Sequence, residues 1–324
     1  MDLANERQAD LLTIGGDLFE QEHVTSDTVA FIARQLARAR CRVLVVSGNH
    51  DYAHPASPYR TARWPPNVVL RLEPAPVPLD VGDAVVWALG HRGPELDSAA
   101  VTLPQTDGGE LAQLLLVHAV DAASSTAEPG RLALDPATVT ERGFDHALLG
   151  HIHAGRVGDR LSNPGSPVPL DPAEIVGNHG ALWVETEGRA VRVEAVPYDL
   201  AWFITLSLDV SGIGDSSAVE EELRRQVAEI EGAQHALVVC RLHGRRPASL
   251  RLDPAVLAQQ LAGDAMGVSV TDASEPEIDV AELAREPNAR GRTLAMLLRS
   301  GRPEADEAAR LVAEAFEGEL RVPS

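Results

Sequence analysis

Metal-binding side chains follow apolar runs at four places in the first half of the chain. They lie in the segments Gly16-Asp17, Gly48-Asn49-His50-Asp51, Val117-His118 and Gly150-His151-Ile152-His153. In open α/β sheets, ligands bind outside the carboxyl ends of the strands. A carboxylate, an amide and several imidazoles gathered there would suit Mn²⁺, Fe or Zn²⁺ in a two-metal centre.

These residue types are typical of a site that activates water against a phosphoester. A carboxylate can bridge two cations held roughly 3.5–4 Å apart, and neutral imidazoles bind transition metals without cancelling their charge. Cations held in this way acidify a bound water and stabilise the charge that develops on phosphoryl oxygens. A histidine that binds no metal can protonate the leaving oxygen.

Each segment also has an ordinary explanation when it is taken alone. A Gly-Asp pair is common in turns, and His118, which follows Leu-Leu-Leu-Val, could be a core histidine. His151 and His153 lie on one side of an extended chain, because side chains alternate along a strand. The ordered combination is more specific than any single member. We therefore expect a metal site built from Asp17, Asn49, His118, His151 and His153.

Hydrophobic periodicity predicts the elements that position these residues. A buried strand at Leu11–Ile14 precedes Asp17, and a second at Val43–Ser47 precedes Asn49. A helix from Ser26 or Asp27 to about Arg40 connects them, which favours a parallel pair. The further elements predicted in this region are strands at Ala84–Leu89, Leu114–His118 and Ala147–Gly150, a helix from Asp135 or Pro136 to Gly143, and a hairpin of Gly180–Glu187 with Ala190–Val196.

The pattern changes near Pro197–Leu200, where we place a domain boundary. A chain of 324 residues is long enough for two domains, which we assign to residues 1–199 and 200–324. The second is predicted to be a smaller α+β domain without evident chemistry of its own. Its predicted elements are strands at Ile204–Val210 and Ala236–Leu242, a helix at Ser216–Ile230, and helices near 253–262, 290–299 and 303–317.

Charge and hydropathy exclude some classes of protein. The net charge is −20, and every basic residue is arginine, so long-range repulsion argues against a passive nucleic-acid-binding module. A nuclease whose site is made positive by metal ions is not excluded. No apolar run reaches the roughly 18–20 residues of a membrane span. The start is polar and acidic, and the two cysteines lie far apart, so we expect a cytoplasmic protein without a membrane partner.

The motif series resembles a known family. The segments GGDLFE, VVSGNHD, LLVHA, ALLGHIH and NPGSP are similar to those of the calcineurin-like metallophosphoesterases, over roughly residues 3–197. Within that family the chain is most similar to the bacterial SbcD and YhaO type of DNA exonuclease subunit. The resemblance implies an α/β/β/α sandwich, in which helices flank two packed mixed sheets, followed by a smaller α+β domain.

The resemblance also implies an activity, cofactors and partners. The activity would be hydrolysis of DNA phosphodiesters, as an exonuclease with some endonuclease activity. The cofactors would be two divalent metal ions, with Mn²⁺ favoured over Fe or Zn²⁺. The partners would be DNA, an ATPase of the SbcC type and a second copy of the chain in a homodimer.

The metal ligands follow from the resemblance, residue by residue. Asp17 would bridge the two metals, and His153 would bind the first. Asn49, His118 and His151 would complete the site of the second metal.

Further residues would act on the substrate. The resemblance implies that His50 is the histidine near the leaving group that binds no metal, and that Asn163 to Ser166 form a loop beside the site. Arg60, Arg63 and Arg71 follow the Asn-His-Asp turn and are candidate phosphate contacts, although each could equally be an ordinary surface arginine.

One family motif has no counterpart. The family pattern opens with a strand that ends in Asp-x-His and supplies two ligands to the first metal, and this sequence contains no Asp-x-His. We expect that Met1 is not the natural start. The alternative is a chain that holds the second metal better than the first and has weak or no activity. Substitute ligands would then come from the nearby residues Asp51, His54, Glu20 or His23.

Three functions therefore compete. The leading one is a metal-dependent DNA exonuclease of the repair and recombination type. The second keeps the chemistry but acts on a phosphomonoester or a small nucleotide, which suits the acidic net charge. The third is a catalytically impaired scaffold that binds DNA or a partner protein.

Overall fold

The computed structural model describes residues 1–106, 109–123, 130–170, 179–198, 200–247, 249–277 and 279–317. The chain divides into two compact units, Met1–Tyr198 and Asp199–Ser324.

The first unit alternates strands with short helices. Its helices are α1 (Asp2–Glu6), α2 (Ser26–Leu36), α3 (Pro58–Thr61) and α4 (Pro136–Glu141). Its strands are β1 (Leu11–Ile14), β2 (Arg42–Val46), β3 (Val68–Arg71), β4 (Val77–Val81), β5 (Ala84–Leu89), β6 (Ala112–His118), β7 (Val120–Asp121), β8 (Ala133–Leu134), β9 (His146–Gly150), β10 (Arg156–Val157), β11 (Leu161–Asn163), β12 (Gly180–Glu187) and β13 (Ala190–Pro197).

Two sheets dominate this unit. Strands β1, β2 and β3 form a parallel sheet with β2 in the middle. The second sheet has the order β10-β11-β9-β6-β5-β4, with β5, β6, β9 and β11 mutually parallel and an antiparallel strand at each edge. The predicted β1–β2 parallel pair and the β12–β13 hairpin are both confirmed.

Alternating side chains build the layers. On β2, Leu44 and Val46 pack between the two sheets, whereas Val43 and Val45 face the other way, toward α2. On β6, even-numbered leucines also pack between the sheets, and the alternate positions face α4 with Phe144. Strands buried on both faces are expected to carry continuous apolar runs, as Val43–Val46 and Leu114–Val117 do. The layers run helix, sheet, sheet, helix, so the predicted α/β/β/α sandwich is confirmed.

Helix ends differ from the sequence prediction. The N-cap of α2 is Thr25, whose hydroxyl accepts from the Thr28 N–H, and not Ser26 or Asp27. The helix ends at Leu36 and does not reach Arg40. The Asn67 side-chain amide donates to the Leu36 carbonyl at 3.0 Å, which satisfies a helix-end acceptor and lets the chain turn into β2.

The second unit contains a smaller parallel sheet. Its strands are β14 (Trp202–Asp209), β15 (Ala236–His243), β16 (Arg245–Pro247), β17 (Gly267–Asp272) and β18 (Glu275–Glu277), and its helices are α5 (Ser216–Ala228), α6 (Pro254–Gln260), α7 (Val280–Leu283), α8 (Ala289–Arg299) and α9 (Ala305–Glu317). The main sheet has the order β14-β15-β17. Sequence periodicity missed β17. Of the helices described, none is both long and apolar enough to cross a membrane.

Candidate metal centre

Four side chains from four strand ends converge at one point of the first unit. Asp17 and Asn49 follow β1 and β2 of the three-stranded sheet, whereas His118 ends β6 and His151 follows β9 of the six-stranded sheet. His118 Nε2 lies 2.9 Å from Asn49 Oδ1, 3.1 Å from Asp17 Oδ2 and 3.1 Å from His151 Nδ1. Asn49 Oδ1 and His151 Nδ1 are 2.9 Å apart.

The position of the proton on the His118 ring determines which of its nitrogens can bind a metal. His118 Nδ1 lies 2.8 Å from the Gly15 carbonyl, which can only accept, so Nδ1 carries the proton. In the neutral ring, Nε2 then presents a lone pair to the Asn49 amide oxygen and the Asp17 carboxylate. Lone pairs that converge without protons between them repel unless a cation lies at their centre. Ligands each about 2.0–2.2 Å from one ion lie roughly 3 Å apart, so the donor set fits a divalent metal.

The protonation states of Asp17 and His151 also suit metal binding. Burial alone would raise the pKa of Asp17, but its contacts with His118 and with the His50 N–H lower it to about 2. Burial, reinforced by the charge of Arg131, lowers the pKa of His151 to about 4. At neutral pH the site therefore combines an ionised carboxylate with a neutral imidazole, which are the forms that bind metal.

The backbone is strained at two of the four residues. Asp17 and His151 adopt left-handed conformations, with φ of 54° and 87°, which side chains other than glycine rarely do. Gly16 has φ of 97°, and a Cβ there would lie 2.5 Å from His118 Nδ1. Strain of this kind concentrates at functional sites, where the surrounding structure enforces it.

Asp51 holds the two loops of the three-stranded sheet together. Its fully buried carboxylate accepts from the backbone N–H groups of Leu18 at 2.7 Å, Gly48 at 2.5 Å and Asp17 at 3.2 Å. It also accepts from the Tyr59 hydroxyl at 2.6 Å. Both oxygens of Asp51, suggested above as a substitute ligand, therefore bind donors, and Asp51 is not among the described carboxylate and histidine groups whose ligand atoms lie together.

His50 and Glu20 form a half-exposed pair at the edge of the cluster. His50 Nδ1 lies 2.7 Å from Glu20 Oε2, and the His50 backbone N–H donates to Asp17 Oδ1 at 2.9 Å. The Nδ1 atom of the ring therefore binds Glu20 and not one of the four converging atoms. Glu20 binds this histidine and is not placed as a substitute metal ligand. The His54 ring accepts from the Ala56 N–H at 3.1 Å, and His23 is exposed.

His153 is not brought into the cluster. Among the described residues, the carboxylate and histidine atoms that lie close enough to share an ion belong to Asp17, His118 and His151. His153 is exposed, and its carbonyl accepts from the Ser166 N–H at 2.9 Å. The Asn163 side chain donates to the Ala154 carbonyl at 3.0 Å. The segment Asn163 to Ser166 therefore packs against the chain that leaves His151.

The three candidate phosphate contacts have different surroundings. Arg60 is held by Glu73 at 2.6 Å and by the Ala53 carbonyl. Arg71 is half-buried, and its Nε is enclosed without a hydrogen-bond partner among the described residues. Arg63 is exposed. A phosphate would meet Arg63 more readily than the other two.

Sequence reasoning missed two residues beside the site. Arg131 is half-buried, donates to the Pro94 carbonyl at 3.0 Å, and acts on His151 through its charge. Nothing in its sequence context distinguishes it from other arginines. His91 lies against His118, with ring centroids 5.4 Å apart. It follows strand β5 as Gly-His, the pattern seen at Gly150-His151, so a signal for it was present.

Comparison with known proteins finds a family model that covers the residues of this site. Residues 1–155 match the family model described as calcineurin-like phosphoesterase. The matched region contains all four converging side chains, and it implies metal-dependent hydrolysis of a phosphoester. No curated protein matches the chain.

Proposed function

We propose, on the premise that residues 1–155 are a calcineurin-like phosphoesterase domain, that the protein hydrolyses DNA phosphodiesters as a metal-dependent exonuclease. One observation carries the hydrolytic part of the proposal: the lone pairs of Asp17, Asn49, His118 and His151 converge within 3.1 Å of one another along the contacts given above.

The proposed ligand roles follow this geometry. Asp17, Asn49, His118 and His151 would hold one divalent cation, for which Mn²⁺ is favoured. His153, with a shared Asp17, would contribute to the site of a second. Bound cations would supply the acidification of a water and the neutralisation of phosphoryl charge.

His50 would manage the proton at the leaving oxygen. Its Nδ1 donates to Glu20, which fixes the orientation of the ring and leaves Nε2 for proton exchange. The side chain is 53% exposed, so a substrate can approach it. The backbone N–H of His50 meanwhile orients the Asp17 carboxylate. One residue would therefore serve both the substrate and the metal ligand.

DNA is proposed as the substrate because of the motif resemblance and because of two arginines, Arg63 and Arg131. Arg63 is exposed, and Arg131 lies close enough to lower the pKa of His151. Among the described residues, neither forms an ion pair with a carboxylate. Both are therefore suited to contact the phosphates of a strand that crosses the site.

A specific observation favours the second candidate, a phosphomonoesterase or small-nucleotide phosphodiesterase. Arg60 and Arg92 both pair with Glu73, and Arg156 pairs with Asp121 at 2.8 Å. These pairs neutralise cations that a polyanion would need, and the net charge is −20. A small phosphoester would require fewer cationic contacts.

The deciding experiment compares substrates with one protein. Linear DNA, bis-p-nitrophenyl phosphate and p-nitrophenyl phosphate are incubated with the full chain and Mn²⁺, and Asp17→Ala is the control. Degradation of DNA by the wild type and not by the variant supports the nuclease. Activity on p-nitrophenyl phosphate alone contradicts it and supports the phosphomonoesterase. Mn²⁺ binding without hydrolysis of any of these substrates supports a catalytically impaired scaffold.

The partners follow from the resemblance and are proposals as well. We propose an ATPase of the SbcC type and self-association as a homodimer. Light scattering of the purified chain measures the second directly, and a monomer across the concentration range would contradict it.

A further inference from the structure

A second buried histidine lies directly behind the candidate metal centre. His91 is 2% exposed and comes two residues after β5, the neighbour of β6 in the six-stranded sheet. Its ring meets the His118 ring edge-on, at an interplanar angle of 88°. It lies behind His118 and is not one of the four converging groups.

The His91 ring is tied to the main chain of His118. His91 Nε2 lies 2.9 Å from the His118 carbonyl, and a carbonyl can only accept, so Nε2 carries the proton. The Nε2–H group therefore ties the ring to the main chain of the residue that carries the His118 imidazole. An apolar side chain could fill the same space but could not make this hydrogen bond, so packing alone does not account for a histidine here.

The His91 backbone is tied to the other sheet. Its N–H lies 3.0 Å from Ser47 Oγ and 3.1 Å from the Ser47 carbonyl. Ser47 Oγ in turn donates to the His91 carbonyl at 2.9 Å, and the Ala53 N–H donates there as well, at 2.8 Å. Ser47 follows β2 directly and precedes Asn49 by two residues. One residue therefore joins the strand end that carries Asn49 to the strand end that carries His118.

We propose that His91 is a positioning residue that sets the distance between the His118 imidazole and the Asn49 amide. The proposal rests on the function proposed above, because the two groups it positions are proposed metal ligands. Groups that orient metal ligands from behind contribute to affinity, and their removal typically costs about 10–100-fold.

A purely structural role is the alternative, and the chain offers a matched control. His146 is 3% exposed, begins β9 in the same sheet, and has a pKa lowered mainly by burial. Its Nε2 lies 2.8 Å from Ser162 Oγ, at the strand end opposite to the metal centre. Replacing His146 removes a buried histidine from the same sheet without touching the four converging groups.

The test measures Mn²⁺ affinity by calorimetry for the full chain and three variants. His91→Leu keeps bulk but loses the donor, and we expect its affinity to fall about 10–100-fold. His91→Gln keeps an N–H near the position of Nε2, and we expect it to remain within about threefold of the wild type. His146→Leu should also stay within about threefold, because it contacts no ligand. Thermal unfolding of each variant separates lost stability from lost affinity.

Wild-type affinity in His91→Leu would overturn the proposal, as would an equal loss in His146→Leu. Should His91→Leu fail to fold, Ser47→Ala removes the hydroxyl that binds the His91 backbone, and unchanged affinity in that variant would overturn the proposal as well. A wild type that binds Mn²⁺ but cleaves no phosphoester would contradict the proposed function alone. A wild type that binds no Mn²⁺ would contradict both.

Discussion

Each unit contains a parallel sheet with aspartate and histidine at or just after the strand ends. These side chains have different hydrogen-bond partners in the two units. In the second unit, β14 ends at Asp209, β15 at His243 and β17 at Asp272. Asp209 accepts from the Ser211 N–H at 2.9 Å, and Asp272 accepts from the Ser274 N–H at 2.8 Å. These carboxylates close their own turns with donors from the following residues.

In the first unit, the corresponding groups meet one another. Asp17, Asn49 and His118 direct acceptor atoms toward a common point, whereas the backbone N–H groups of Leu18 and Gly48 donate to Asp51. The residue types at the strand ends are similar in both units, but the hydrogen-bond donors available to them differ. A candidate metal site is therefore identified by acceptor atoms that face one another, and not by residue types alone.

The largest effect that would test this comparison is on metal binding and hydrolysis. We expect Asp17→Ala to lower phosphoester hydrolysis by more than ~10³-fold, because it removes a charged ligand from the site that stabilises the transition state. Asp209→Ala, at the matching position of the second unit, should leave the rate unchanged. Initial rates with Mn²⁺ measure both. Equal losses of hydrolysis rate in the two variants would contradict the difference described between the two units.

The next effect is on folding stability. Asp51→Ala leaves three backbone N–H groups and the Tyr59 hydroxyl without their acceptor, so we expect the free energy of unfolding to fall by ~3–5 kcal/mol. Tyr59→Phe removes one donor and should cost about 1–2 kcal/mol. Urea unfolding followed by fluorescence gives both values. A loss for Asp51→Ala no larger than that for Tyr59→Phe would contradict the bridging role.

Glycine substitutions test the strained turn. Gly16→Ala should cost about 1–2 kcal/mol for the left-handed backbone, with a further cost from the contact with His118 Nδ1. Gly212→Ala in the second unit has the same sign of φ, but its Cβ would meet nothing within 4 Å. We expect Gly16→Ala to lose more stability than Gly212→Ala and also to bind Mn²⁺ more weakly. Equal stability losses with wild-type Mn²⁺ binding would show that the turn does not support the site.

The smallest effect is a dependence of stability on pH that comes from a histidine outside the centre. Burial lowers the pKa of His146 in the folded state below the unfolded value of about 6.5. Its contribution to stability is therefore full above about pH 6.5 and declines as the pH falls toward the folded pKa, by at most about 1.4 kcal/mol per pH unit. Urea unfolding at pH 7.5 and 5.5 should show a smaller acid loss in His146→Leu than in the wild type. An identical acid loss would contradict this assignment.

Much of the fold could be predicted from sequence, because the signals are local. The strands that precede Asp17 and Asn49 are short apolar runs, and their parallel pairing follows from the helix between them. Within each sheet, the proximity of Asp17 to Asn49 and of His118 to His151 also follows, since parallel strands deliver their carboxyl ends to the same edge. That the edges of the two sheets meet does not follow from the strand pattern. The bounds of α2 were less accurate, because Asn67 comes from a distant segment to close its end.

The remaining features depend on contacts between segments far apart in sequence. From the sequence, Asp51 was a reasonable candidate ligand. A sequence does not show that four hydrogen-bond donors surround its carboxylate. The displacement of His153 from the cluster follows the left-handed φ of His151, which turns the chain out of the strand alternation assumed for the pair. The role of Arg131 depends on the pairing of β7 with β8, which has no sequence signature.

The four converging groups come in equal numbers from the two sheets, and this gives a bound cation a mechanical meaning. An ion held by Asp17 and Asn49 on one side and by His118 and His151 on the other would join segments that are up to 134 residues apart in sequence. At a metal concentration of 100 times the dissociation constant, such an ion stabilises the fold by about 2.7 kcal/mol. Chelation would then weaken the contact between the two sheets as well as stop the hydrolysis. The thermal stability of the first unit would therefore depend on the concentration of free metal.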